Sequence, residues 1–179
     1  MRSNSFRVAL GGLLSAFAVG VMLLGSFIPL ATFTAPAVAS LAVLYFSVEY
    51  GKRFALVIYS GVSALSLLFA ADKEPAFLFV LLLGYYPILK GVFEALKSKV
   101  ICWSLKLILF NSAVLLTYKL LISLTVSESL AREIASYLPI VITLLMLLGN
   151  VAFLLYDIAL TRLITLYIFR IKPKLKRRR

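Results

Sequence analysis

Residues 8–48 read VALGGLLSAFAVGVMLLGSFIPLATFTAPAVASLAVLYFSV, a run with no charged side chain. A helix needs about 20 residues, at about 1.5 Å each, to cross a hydrocarbon layer of about 30 Å. The run therefore holds two crossings. Pro29 and Pro36, around Leu30-Ala31-Thr32-Phe33-Thr34-Ala35, mark the break between them. Arg2 and Arg7 ahead of it and Ala37-Val38-Ala39 within it resemble parts of a secretory leader. A leader's apolar core spans only about 7–15 residues, so cleavage is not expected.

Working outward, apolar stretches bounded by charge, proline and glycine give helices at 7–28, 36–49, 54–71, 75–89, 100–125 and 137–165. Gly51-Lys52-Arg53 is a turn, and Asp72-Lys73-Glu74-Pro75 closes the third helix and opens the fourth. Pro75 and Pro139 suit first turns, where a missing amide hydrogen costs nothing. Lys90–Lys99 reads as a polar loop and Ser127–Ser136 as a short amphipathic connection. The expectation is an all-α integral membrane protein: a compact bundle of six transmembrane helices over residues 1–171, then a basic tail over 172–179.

Composition agrees. The 179 residues are 63% hydrophobic and 15% charged, with a mean hydropathy of +1.04. A water-surrounded domain is nearer half apolar and a quarter charged, and a disordered chain is far less apolar. The net charge of +12 would suggest nucleic acid in a soluble protein. Here the basic residues cluster at the ends of apolar runs, with no interleaved aromatics to read bases, and nucleic acid is not an expected partner. With the N-terminus inside, fifteen Lys and Arg fall on inner segments, and only Lys73 and Arg132 on outer loops. The positive-inside rule then places both termini in the cytoplasm of a multi-pass cell-membrane protein.

Several residues stand out. Ala9, Gly12, Ala16 and Gly20 put small side chains on one face of the first helix. Such a strip packs against a neighbouring helix of the same chain or docks a separate membrane subunit. Asn111 and Asn150 sit near the middle of the last two helices, as interhelical glue or as pocket lining. Lys106 and Asp157 lie at comparable depth and form a candidate intramembrane ion pair, with snorkelling the alternative for Lys106. Lys119, toward the outer end, either snorkels or meets an anionic ligand. Tyr85, Tyr86 and Pro87 read as an interfacial belt at a disturbed last turn. Thr32 and Thr34 belong to a tight hairpin or to a lid over a pocket. Lys174, Lys176, Arg177, Arg178 and Arg179 anchor the tail to anionic lipid.

What is missing narrows the chemistry. There is no histidine and one cysteine, Cys102, so an intramolecular disulfide and Cys/His metal centres have no residues to build on. No Walker loop and no Gly-x-Ser-x-Gly elbow occur, and acidic residues inside the spans are limited to Asp157 and Glu49. The reading is of a protein that is not an enzyme and carries neither cofactor nor metal.

Six spans, termini inside, about 180 residues and the small strip Ala9, Gly12, Ala16, Gly20 together resemble the substrate-binding S-components of energy-coupling factor vitamin transporters. The resemblance implies capture of a vitamin-like small molecule from outside. It also implies docking, through small residues of the first helix, to a transmembrane coupling subunit served by ATPases. That family usually carries two alanines four apart; this chain has glycine at two of the corresponding places. The resemblance further implies a pocket in the outer half, with Asn111 and Lys119 as polar candidates. A non-enzymatic scaffold or assembly protein that recruits other membrane proteins is the alternative.

Overall fold

The computed structural model describes residues 4–28, 31–125 and 128–173, with side chains for all of these except 4, 125–142, 145 and 171. Every regular element among the described residues is helical: α1 (Asn4–Gly25), α2 (Thr34–Glu49), α3 (Lys52–Phe69), α4 (Lys73–Leu78), α5 (Tyr86–Phe93), α6 (Lys99–Thr125) and α7 (Glu128–Leu166). Two π-helical turns interrupt this pattern, Phe79–Leu83 between α4 and α5 and Tyr167–Ile171 after α7. Five helical stretches among the described residues are long and apolar enough to cross a membrane: Ser5–Gly25, Lys52–Phe69, Lys73–Phe93, Lys99–Leu124 and Met146–Arg170. The shorter α2 has 16 residues, which at about 1.5 Å per residue is roughly 24 Å.

The chain divides into two compact units, Met1–Arg132 and Glu133–Arg179. In the first, α1, α2, α3, the α4–α5 stretch (Lys73–Phe93) and α6 run in alternating directions. The C-terminal end of α1 meets the start of α2 so closely that a methyl group on Gly25 would overlap the Cβ of Ala35. The N-terminal halves of α1 and α3 lie side by side, since a methyl on Gly11 would stand 3.2 Å from Ile58 and 3.5 Å from Phe54. Tyr118, late in α6, donates to Glu74 at the start of α4 (2.8 Å), and Lys106, early in α6, reaches Glu94 just after α5 (3.4 Å).

The core of this unit is built mostly from small and medium side chains, Ala18, Met22, Ala39, Ala42, Val43, Ala55, Ile58, Val62 and Ala76, around the rings of Phe46 and Phe79. The surface carries the bulky ones. Leu13, Phe17, Leu24, Val57, Leu68, Val100 and Ile108 are each more than half exposed. A protein in water hides such residues. One in lipid gains nothing by doing so, and its helices associate through close approach of small residues. The distribution is that of a multi-pass membrane protein.

Local chemistry sets the element boundaries. Gly51 alone separates α2 and α3 beyond the α2 cap at Tyr50, and its φ of +90° is one that side-chain-bearing residues avoid. Asp72 caps α4, its carboxylate accepting from the Glu74 amide at 2.9 Å. Lys73 turns back to cap α3, its ammonium donating to the carbonyls of Leu67 and Ala70 at 3.0 and 2.8 Å.

Three boundary expectations are corrected. The loop expected at Lys90–Lys99 is shorter than that: α5, with Pro87 in its first turn, continues to Phe93, and residues 94–98 are the non-helical connection. The π turn at Phe79–Leu83 supplies the wider backbone that admits the ring. Residues 128–136 are helical too, continuous with α7, so Pro139 stands well inside a helix of 39 residues. Proline is tolerated there in membrane helices where neighbouring groups satisfy the freed backbone. Finally, Tyr86 is not a belt residue: it is fully buried, and Tyr85 is partly buried with its hydroxyl donating to the Leu81 carbonyl at 2.6 Å.

Candidate functional site

The first helix has two small-residue faces. One is used internally: Gly11, Ala18, Met22 and Gly25 are buried against α2 and α3. The other carries Ala9, Gly12 and Ala16, all exposed, and Gly20, partly buried. A methyl group added at Gly12 or at Gly20 would meet no atom within 4 Å. Leu13 and Phe17, both over 60% exposed, border this face. Within the first unit, the strip at 11, 18 and 25 is packed into the core, whereas the strip at 9, 12, 16 and 20 is not.

The middle of the first unit holds a second feature. The π turn closes with the Gly84 amide donating to the Phe79 carbonyl at 2.8 Å. A π turn leaves neighbouring carbonyls short of their usual partners, and two tyrosines take them up. The Tyr59 hydroxyl donates to the Val80 carbonyl at 2.7 Å, and the Tyr85 hydroxyl to that of Leu81. The rings of Tyr59 and Tyr85 meet edge to face with centroids 5.9 Å apart. Beside this turn lies an open groove of about 210 Å³, lined by Val80, Leu81, Tyr85, Leu109, Ser112, Ala113 and Leu116. Its walls are mainly apolar, with Ser112 and Tyr85 the polar side chains among them.

A third feature is a charged cluster. Lys90 is fully buried, and its ammonium lies 2.6 Å from Oε1 of Glu94, one helical turn away. Lys106, 2% exposed, approaches the same oxygen at 3.4 Å and stands 4.9 Å above the Trp103 ring centroid. Glu94 is the partner that the sequence reading missed. The signal was the i,i+4 spacing of Lys90 and Glu94, hidden by reading Lys90–Lys99 as a polar loop.

The expected ligand residues fall as follows. Asn111 donates to the Leu107 carbonyl of its own helix at 2.8 Å, and Asn150 to that of Met146 at 2.7 Å. Lys119 is exposed on α6, Thr32 is buried in the turn before α2, and Thr34 is the exposed first residue of α2. None of these lines the groove beside the π turn. Asp157 is buried on α7 and belongs to the second unit, as does Asn150. The tail residues Lys174, Lys176, Arg177, Arg178 and Arg179 lie outside the described residues.

Comparison with known proteins found no matching family model, no matching curated protein and no matching solved structure.

Proposed function

We propose that this chain is a non-enzymatic membrane subunit that acts in a complex, docking through the outward small-residue face of α1. The observation that supports the reading is the strip of Ala9, Gly12, Ala16 and Gly20 on α1, which stays outside the core of the first unit and has open space beside Gly12 and Gly20. A smooth strip lets a partner helix approach closely, and van der Waals packing along it is the main source of association between helices in lipid. In the fuller form of the proposal, six crossings place both termini in the cytoplasm of the cell membrane. The protein then takes up a vitamin-like small molecule, and the partner is a coupling subunit driven by ATPases. Asn111, Asn150, Lys119, Thr32 and Thr34 remain the ligand residues of that proposal, and Lys106 with Asp157 its intramembrane pair.

The groove favours a second reading. The groove beside the π turn is lined mainly by apolar side chains and holds no expected ligand residue, as suits a scaffold that recruits membrane proteins and binds no metabolite. One preparation separates the two. The chain is purified from its membrane in mild detergent, and both bound proteins and released small molecules are identified by mass spectrometry. The transport reading expects ATPase partners and a stoichiometric metabolite. The scaffold reading expects protein partners alone. In both, Ala16→Leu with Gly20→Leu leaves the chain folded and removes the partners. Retention of the same partners by that variant refutes docking through α1.

A further inference from the structure

We propose that the paired starts of α1 and α3 form a docking site for the headgroup of an acidic phospholipid, held by Arg7, Lys52 and Arg53. These helices begin at the same end of the first unit. Gly11 lies against Phe54 and Ile58, so Arg7, one turn earlier, is level with the beginning of α3. Its guanidinium stands 5.3 Å from the centroid of the Tyr50 ring. That ring is itself fixed by Phe46 and Phe54, with centroids 5.4 and 5.9 Å away. The cation is thus held in place by an aromatic platform rather than by an acid.

Among the described residues none of the three cations forms an ion pair. The Nε of Arg7 is buried and has no hydrogen-bond acceptor. Lys52 and Arg53 are exposed at the first two positions of α3, where the helix dipole repels positive charge. The only acid between Phe46 and Phe54 is Glu49, so Arg7, Lys52 and Arg53 against Glu49 leave this end at a formal +2. An anion offsets all of these costs together.

The surface beside the cations identifies the anion's source. Val8 on α1 and Val57 on α3, each one turn from a residue of the α1–α3 contact, are 65% and 63% exposed. An occupant with a phosphate at the cations and hydrocarbon along these side chains matches the whole surface. Inorganic phosphate matches only its tip. Arginine's planar fork suits phosphate in the way it suits carboxylate, and basic residues near a membrane surface are drawn to anionic lipid.

The test uses the full chain in neutral detergent, titrated separately with phosphatidylglycerol and phosphatidylcholine and followed by native mass spectrometry. Phosphatidylglycerol is expected to bind in preference. Arg7→Gln is expected to lower that affinity roughly fivefold, and Lys52→Gln with Arg53→Gln roughly thirtyfold, the values for one and for two surface charges at about 1 kcal/mol each. Lys97→Gln with Lys99→Gln removes the same charge from exposed positions elsewhere and is expected to leave it within about twofold. Because Lys52 and Arg53 are exposed, their variant reports on the site even where Arg7→Gln unfolds. Equal binding of the two lipids overturns the proposal. So does unchanged affinity in the Lys52/Arg53 variant, or an equal loss in the Lys97/Lys99 variant.

Discussion

Gly84→Ala is the sharpest test of the packing described above. Alanine normally stabilises a helix by about 1 kcal/mol relative to glycine, and Gly84 has helical dihedrals (φ −69°, ψ −44°). Propensity alone therefore favours the substitution. The surroundings oppose it. A Cβ at Gly84 would stand 2.7 Å from the Phe79 carbonyl oxygen, 2.8 Å from Phe79 Cε1 and 2.8 Å from Tyr59 Cδ2. The oxygen cannot retreat, because it accepts the hydrogen bond from the Gly84 amide that closes the π turn. The Tyr59 ring is held by its own bond to Val80, and Phe79 is fully buried.

Overpacking of this kind costs about 1–3 kcal/mol, and displacing Tyr59 gives up a hydrogen bond worth about 1 kcal/mol. Less the propensity gain, the net loss is about 1–3 kcal/mol. For a chain of this length that lowers the thermal midpoint by roughly 2–12 °C, at about 2–4 °C per kcal/mol. Heating the purified protein in detergent and following the soluble, monodisperse fraction by size exclusion gives the midpoint. Gly61→Ala is the control. It lies in α3 with nothing within 4 Å of the added methyl, so an unchanged or raised midpoint is expected. A Gly84→Ala midpoint at or above wild type would refute the idea that the π turn requires the missing side chain.

Other outcomes follow from the same structure. Gly25→Ala should destabilise by about 1–3 kcal/mol in the same assay, because its methyl overlaps Ala35 and neither backbone has room to yield. Glu94→Gln should cost about 2 kcal/mol by removing the carboxylate beside buried Lys90 and Lys106. This lies below the 3–5 kcal/mol of a fully buried pair, because the Glu94 side chain is 42% exposed. Tyr118→Phe removes a hydrogen bond from an exposed position and should cost no more than about 1 kcal/mol. For the proposed pair, Lys106→Asp and Asp157→Lys should each destabilise, and the combined swap should recover part of the loss. Additive losses in the double variant would count against the contact.

How much of this was legible in the sequence depends on the scale of the signal. Long apolar runs declare themselves, because the bilayer imposes a length and a composition on any helix that crosses it. The Pro36, Gly51 and Asp72 punctuation was likewise readable, since each acts through its own backbone or its nearest neighbours. Pro87 misled because its usual effect depends on what the carbonyl four residues earlier is doing. A π turn changes that geometry, and nothing in FVLLL announces one. The pattern that does point to it is Gly84 followed by two tyrosines, with Tyr59 on another helix completing the set. Lys90 and Glu94 were lost by reading Lys90–Lys99 as a polar loop, since a pair that is adjacent on a helix is unremarked in a supposed loop.

The two faces of α1 show where pattern reading reaches its limit. Gly11, Gly12, Ala16, Ala18, Gly20 and Gly25 are the same kind of residue, and spacing alone sorts them into two strips without ranking them. What separates them is the neighbour. Ala35, Phe54 and Ile58 occupy the space beside Gly25 and Gly11, while no described atom comes within 4 Å of where a Gly12 or Gly20 side chain would begin. In lipid an unused glycine in a helix carries a cost with no return inside the chain. It exposes backbone and forgoes the roughly 1 kcal/mol that alanine would supply. A helix that accepts that cost twice on one face, at positions eight residues and about two turns apart, is best explained by a second helix that comes close there. This is the physical reason for placing the partner on α1 rather than on α6. The long face of α6 is exposed through bulky residues such as Val100, Ile108 and Leu115, which hold a neighbour's backbone at a distance.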